Sequence, residues 1–173
     1  MKMQYDTVLL RTATEVDAKQ LASWWNDGAV MAHAGFPNGL GITEDEVKGE
    51  ISEGLLIIEE NGKHIGETNY RLLDNNVAEI GIKICNVEYQ NRGIGRKTLS
   101  LLIRHLFDHG IKKIILDTNL ENKRAQHVYE SLGFKKLRIN TNSWTDQLGN
   151  KQSSVDYELV ENDFINYIQK QDN

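Results

Sequence analysis

Hydrophobic and polar positions alternate through the middle of the chain and then switch to a helical period. Ala78, Ile80, Ile82 and Ile84 fall on one face of a segment running Val77–Cys85, the two-residue repeat of a half-buried strand. Leu55–Glu60 and His64–Leu73 read as two further strands. Asn61-Gly62 joins them as a tight hairpin, since both residues tolerate positive φ, and Asn75-Asn76 makes the next turn. Thr7–Arg11, with Val8, Leu9 and Leu10 consecutive, reads as a strand ahead of this antiparallel meander. Beyond it the period changes: Ile94, Leu99, Leu102, Ile103 and Leu106 form a helical stripe that ends near Gly110.

Capping residues mark the other helices. Thr14 with Asp17 opens one that runs to about Trp25, and Thr43 with Glu46 opens another to about Glu53. Asn26–Gly41 between them reads as a glycine-rich loop. Lys113–Asp117 is a short buried strand, Asn122–Leu132 a helix with Gly133 as its C-terminal cap, and Phe134–Thr141 and Ser154–Val160 a closing pair of strands. A short helix is expected from Glu161. The order is a meander, then strand–helix–strand–helix, then two strands. That predicts a mixed α/β sheet, not a repeated βαβ array. One domain over residues 8–160 with a tail at 161–173 accounts for the pattern.

Composition narrows the setting. A chain of 173 residues with 39% hydrophobic positions can build one core. The single cysteine, Cys85, excludes an internal disulfide framework and suits a reducing compartment. Met1–Arg11 carries charges and does not read as a signal peptide, and no apolar run nears the roughly 20 residues of a membrane span. A cytoplasmic protein is expected, without membrane or nucleic-acid partners, the latter because the net charge is −5. The five histidines show no metal-ligand spacing. Charge is unevenly spread. Residues 1–60 hold 4 Lys/Arg against 11 Asp/Glu, a balance of −7, while residues 90–136 hold 10 against 4, a balance of +6. The first block can attract a cation and the second a phosphorylated ligand.

The basic block contains Gln90-Asn91-Arg92-Gly93-Ile94-Gly95, between a predicted strand and a predicted helix. Backbone N–H groups at a helix N-terminus favour a bound anion. Gly93 and Gly95 let main chain approach phosphate oxygens with no Cβ in the way. Arg92, Arg96 and Lys97 add positive charge. A P-loop requires glycine before the lysine, and Arg96 stands there. A dinucleotide fingerprint requires a third glycine where Thr98 stands, although Asp117 sits where a ribose-binding acid would.

Gln90-x-x-Gly93-x-Gly95 resembles the pyrophosphate signature of the GNAT acetyltransferase superfamily. Asp117-Thr118-Asn119-x-x-Asn122-x-x-Ala125-x-x-x-Tyr129-Glu130-x-x-Gly133-Phe134 resembles the strand and helix that follow it there. The likeness covers roughly residues 8–160. Trp24–Asp27, Trp144-x-Asp146-x-x-Gly149 and Val155–Leu159 resemble the branch that includes ribosomal-protein N-terminal acetyltransferases. The resemblance implies a mostly antiparallel sheet splayed between its fourth and fifth strands, Val77–Cys85 and Lys113–Asp117. It implies acetyl-CoA as cosubstrate, a primary-amine acceptor such as a peptide N-terminus, polyamine or aminoglycoside, and the homodimers common among relatives. Backbone groups at Ile84 and Cys85 would pair with the pantetheine arm. Gln90, Asn91, Arg92, Gly93, Ile94, Gly95 and Arg96 would hold the pyrophosphate, and Asn122 the pantetheine or pyrophosphate region.

Direct attack of an amine on a thioester sets three needs: a deprotonated amine, a donor to the tetrahedral oxyanion, and a donor to the departing sulfur. The resemblance gives the last role to Tyr129, which shares a helix face with Asn122. Glu79 and Asp117 are the candidate bases, with His33 and Glu67 behind them. Trp24, Trp25 and Phe36 are candidates to line the acceptor site. Cys85 reads as a small buried residue. A GNAT-like acyl-CoA sensor without turnover and a dinucleotide-dependent enzyme are the alternatives.

Overall fold

The computed structural model describes residues 1–168. Eight strands form one mixed sheet: β1 (Lys2–Tyr5), β2 (Val8–Thr12), β3 (Leu55–Glu60), β4 (Lys63–Leu73), β5 (Val77–Ile84), β6 (Lys113–Asn119), β7 (Lys135–Thr145) and β8 (Lys151–Val160). Their order is β1-β2-β3-β4-β5-β6-β8-β7. The helices are α1 (Ala18–Trp25), α2 (Gly28–Met31), α3 (Glu44–Glu50), α4 (Ile94–Asp108) and α5 (Lys123–Ser131). Every neighbouring pair is antiparallel except β5 and β6, which run parallel.

The apolar run in β3 is explained by burial on both faces. Leu56 and Ile58 join α4 in the larger core, while Leu55 and Ile57 pack with α1 and with Val47 of α3 in a second one. Leu99, Leu102, Ile103 and Leu106 of α4 are buried against the sheet, as the helical stripe predicts. Among the described residues no helix is long and apolar enough to cross a membrane.

The sheet opens in its middle. β5 and β6 pair only from Val77↔Lys113 to Glu79↔Ile115. Beyond that point β5 stays with β4 as far as Gly66↔Ile84, and β6 stays with β8 as far as Asn119↔Ser154. Each strand thus keeps one partner and bares its other edge. With β1 left out of the count, these are the fourth and fifth strands of the sequence reading, and the splay lies where the resemblance implies.

Four elements differ from the sequence reading. β1 adds an edge strand, so the sheet begins at Lys2, outside residues 8–160. The Asn26–Gly41 loop contains α2, capped by the Asp27 side chain on the Ala29 N–H at 2.9 Å. The last two strands reach Thr145 and start at Lys151, forming a long hairpin. From Glu161 there is a single 3-10 turn, Glu161–Asp163. The rest of the expected tail helix partly lies outside the described residues.

One buried ion pair ties the first helical turn to the sheet. Arg11 of β2 donates to both carboxylate oxygens of Asp17 at 2.8 Å and to Glu59 at 2.7 Å. Asp17, 2% exposed, also accepts from the Thr14 N–H at 2.8 Å. The Arg11 guanidinium holds the Asp17 carboxyl below the usual carboxylate range. A depressed folded-state pKa means stability present above the unfolded pKa and lost as pH falls through the folded one. Asp17→Asn should therefore cost about 3 kcal/mol at neutral pH. The gap to the wild type should shrink as pH falls below about 4. Urea melts across this range check it, and a gap independent of pH would refute the assignment.

Candidate functional site

A cleft of about 970 Å³ runs along the opened sheet, between the bared part of β5, the N-terminus of α4, α5 and the α2 region. Its mouth is the Gln90–Gly95 turn. Asn91 and Gly93 adopt left-handed conformations, φ 59° and 76°, which turn the chain sharply into α4. Gly93 is the residue that caps α4. Apart from the adjoining residues and the helix's own backbone, no atom lies within 4 Å of the place a Cβ would occupy at Gly93 or Gly95. The first-turn N–H groups of α4 lack intrahelical partners. Gln90 braces the turn from inside: its side-chain amide donates to the Ile84 carbonyl at 2.8 Å and accepts from Arg124 of α5. The residue where a dinucleotide fingerprint needs its third glycine, Thr98, is fully buried in α4.

Ladder parity decides which backbone groups of β5 face the gap. The Cys85 N–H donates to the Ile65 carbonyl at 2.8 Å, so it is committed to the β4 side. Antiparallel ladders alternate, so Lys83 and Gly81 also point toward β4, and Ile82 and Ile84 point into the gap. The Ile84 carbonyl is taken by Gln90. The gap therefore offers the Ile84 N–H and the Ile82 N–H and carbonyl. This corrects the expectation for Cys85: its amide is engaged, although the residue lines the cleft. Its thiol is buried and pushed up to about 12, chiefly by burial and then by the Glu67 charge, which suits a packing residue.

Tyr129 reaches the cleft wall from α5. It is 4% exposed, and its ring packs edge-on against Phe134 and Tyr157, each at 6.0 Å between centroids. Its hydroxyl has no hydrogen-bond partner among the described residues. Burial, and then the Asp117 charge, raise its pKa well above that of an ordinary phenol. Asp117 also lines the cleft, and its pKa is raised by desolvation and by the neighbouring Glu79 and Asp156 carboxylates. Asn122 caps α5 through its side-chain oxygen on the Ala125 N–H at 3.2 Å, which leaves its amide N–H₂ for the cleft.

The other candidate bases separate. Glu79 is not on the cleft wall, because its carboxylate is drawn to Arg71 of β4 at 2.8 Å. Glu67 is 2% exposed and held by the Trp25 indole N–H at 3.0 Å and the Lys83 ammonium at 3.3 Å. His33 lines the cleft, with its carbonyl near the Asn119 side-chain amide at 3.3 Å. Trp24 belongs to the core under α1, and neither Trp25 nor Phe36 is on the wall.

Several wall residues were given no role at the site in the sequence reading. Arg124 and His127 stand one turn apart on α5 and face the mouth of the cleft. Their spacing on a helix after Asn122 was the available clue. Trp144 lines the far end, and the β7–β8 hairpin closes over the α2 loop there. Gln147 donates its backbone N–H to the Gly35 carbonyl at 2.8 Å, accepts from the Asn38 N–H at 2.9 Å and donates to the Gly39 carbonyl at 3.0 Å. No local pattern foretells contacts over such separations.

The family model described as Acetyltransferase (GNAT) domain matches residues 7–135. The ribosomal protein bS18-alanine N-acetyltransferase of Salmonella typhimurium is 32% identical over 68 residues, which cover 39% of this chain and 46% of that protein. A mycothiol acetyltransferase of Thermomonospora curvata is 28% identical over 86 residues, covering 50% of this chain and 29% of that protein. The match thus spans less than half the length of either relative. Among solved structures, the RimL ribosomal L7/L12 alpha-N-protein acetyltransferase in complex with coenzyme A superposes with a TM-score of 0.82. It has 16% identity and covers 92% of this chain and 98% of its own. An acetyltransferase (GNAT family) from Bacillus anthracis gives 0.81 at 17% identity, covering 94% and 99%. At these identities the likeness is one of fold.

Proposed function

Because this chain belongs to the GNAT acetyltransferase family, whose domain spans residues 7–135, we propose that it transfers an acetyl group from acetyl-CoA to a primary amine. The observation that carries this reading is the bared edge of β5, leading to the glycine turn at the start of α4. The space beside Gly93 and Gly95 is open where a pyrophosphate would need it, and Arg92 and Arg96 stand beside it. Coenzyme A in the RimL neighbour is consistent with such a ligand.

Bound there, acetyl-CoA supplies an activated thioester carbonyl, where amine attack forms an N–C bond and breaks a C–S bond. A single N–H of this bared edge, that of Ile82 or of Ile84, donates to the carbonyl oxygen as it gains charge. Asp117, held above the ordinary carboxylate range, takes the first proton from the incoming ammonium, directly or through water. Tyr129, kept neutral by burial, donates a hydrogen bond to the sulfur, which takes up the second proton shed by the amine. Asn122 offers its amide to the arm of the donor.

The acceptor is a cation in this reading. Residues 1–60 carry a balance of −7, and Asp27 and Asp117 are the acidic side chains on the wall. A peptide N-terminus, a polyamine and an aminoglycoside all fit that charge. The first is favoured by the likeness to a ribosomal protein bS18-alanine N-acetyltransferase and to the ribosomal L7/L12 alpha-N-protein acetyltransferase.

Acetyl-CoA should raise the melting temperature well above what NAD does. Thiol release with a panel of peptides, polyamines and aminoglycosides then identifies the acceptor. A larger shift with NAD would reject the donor assignment. Stabilisation by acetyl-CoA without thiol release on any amine would favour a sensor.

A further inference from the structure

Of the seven arginines of the chain, Arg11, Arg71, Arg104 and Arg138 each pair with a carboxylate at 2.6–2.8 Å. Arg92, Arg96 and Arg124, all on the cleft wall, pair with none among the described residues. A guanidinium without a counter-ion keeps its rotamer freedom unless neutral groups hold it. Arg96, in the first turn of α4, is held on three sides. It donates to the Ser131 hydroxyl of α5 at 3.0 Å and to His127 Nε2 at 2.9 Å. On the third side its guanidinium lies over the ring of Tyr167, 5.3 Å from the centroid. Tyr167 is not on the cleft wall. It comes from beyond β8, outside residues 7–135 that the family model matches.

The chain after β8 reaches Arg96 by a fixed route. Glu161 pairs with Arg104 of α4 at 2.6 Å, and the Phe164 ring packs against Phe107 of α4, 6.0 Å between centroids. The chain then crosses the C-terminal end of α5, where the Ile165 N–H donates to the Leu132 carbonyl at 2.9 Å. Gly133 makes room for this crossing, since a Cβ there would collide with the Asp163 carbonyl oxygen. Tyr167 lands between the two helices. Its N–H donates to the Ser100 hydroxyl at 3.0 Å and its phenol to the Ser131 carbonyl at 3.3 Å. Ser100 is fully buried, and a buried hydroxyl needs a partner. It stands one turn beyond Arg96 on the same face of α4, so the bond that seats this strap also sets the ring beside the guanidinium.

We propose that Tyr167 is a positioning residue for the donor: the strap over 161–168 ties α5 to α4, and its ring holds Arg96 in place at the cleft before acetyl-CoA arrives. The inference rests on the donor reading above. The ring face attracts the cation without neutralising it, whereas a carboxylate in the same place would cancel the charge that the ligand meets. An arginine already held loses less freedom on binding its anion. Tyr167 therefore acts through Arg96 and touches neither thioester nor amine. Its effect belongs to donor affinity and not to the chemical step.

Calorimetric titration of the full chain with acetyl-CoA tests it, on Tyr167→Phe, Tyr167→Leu, Arg96→Met and the Arg96→Met/Tyr167→Leu double variant. Tyr167 is 39% exposed, so these replacements leave the core intact. Tyr167→Leu fills similar space without a ring face and should weaken acetyl-CoA about 3- to 10-fold. Turnover at saturating acetyl-CoA should stay within about twofold of the wild type. Tyr167→Phe keeps the ring and loses only the bond to Ser131, so it should bind within about twofold of the wild type. In the Arg96→Met background, Tyr167→Leu should weaken binding no further. A merely structural strap predicts otherwise: leucine and phenylalanine would then serve alike, and the two losses would add. Either result overturns the positioning role and leaves the donor reading standing, as does unchanged affinity in Tyr167→Leu. A wild type that binds no acetyl-CoA would overturn the donor reading and the positioning role together.

Discussion

Tyr129→Phe is expected to lower kcat by about 100-fold or more, the usual loss when one donor to developing charge is removed, with little change in the Kd for acetyl-CoA. Phenylalanine keeps the edge-on packing against Phe134 and Tyr157 that fixes the ring, so fold and cleft shape should persist. Only the hydroxyl is lost, and it has no partner among the described residues and reaches a wall of the cleft. The hydroxyl faces the cleft and gives up no hydrogen bond to a described residue, so the variant should melt close to the wild type. That separates the loss of a functional donor from a structural defect. Burial raises the Tyr129 pKa, so the phenol remains protonated beyond its ordinary value, and its ionisation should not set an alkaline limb near neutral pH. Asp117, also raised, must be deprotonated to accept a proton. The rate should therefore climb with pH through that elevated carboxylate pKa. Thiol-release kinetics across pH check both. Unchanged turnover in Tyr129→Phe would remove this residue from the chemistry.

What was legible in the sequence was whatever depends on near neighbours in the chain. The alternation through Ala78, Ile80, Ile82 and Ile84 marks β5, the Asn61-Gly62 pair marks the β3–β4 hairpin, and Thr43 with Glu46 marks a reciprocal cap, with both hydrogen bonds present at 3.2 and 2.8 Å. The glycines of the Gln90–Gly95 turn are equally local. Features set by distant partners were not legible. β1 is a short strand of mixed polarity whose place depends on pairing with β2. β7 is an edge strand with most of its side chains exposed, so no apolar repeat marks its end. The amide of Cys85 was assigned to the cleft because alternation shows which side chains share a face. Which N–H points to which neighbour follows from the Ile65 contact, and that register is a property of two strands. Glu79 was offered as a base because it sits opposite the apolar face. Its capture by Arg71 depends on the same register. The unpaired arginines at the cleft became visible only once the paired ones had been placed.

Gly93→Val should raise the Kd for acetyl-CoA by about 100-fold or more, equivalent to losing one or two charge-assisted hydrogen bonds. Two effects act together. At φ 76° a β-branched residue is strained, by about 1–3 kcal/mol, and relief of that strain would swing the turn away from its left-handed path. Its methyl groups would also enter open space, since, apart from the adjoining residues and the helix's own backbone, no atom lies within 4 Å of a Cβ there. In this reading that space belongs to phosphate oxygens. Gly93→Asn separates the two, because asparagine tolerates left-handed backbone far better than valine yet still carries a side chain. If crowding of the anion dominates, both variants bind weakly. If backbone strain dominates, Gly93→Asn recovers most of the affinity. The strain alone should lower stability only modestly, and thermal melting without ligand measures that part. Tight acetyl-CoA binding by Gly93→Val, with a normal melt, would place the diphosphate elsewhere and detach the open edge of β5 from the donor it is read as holding.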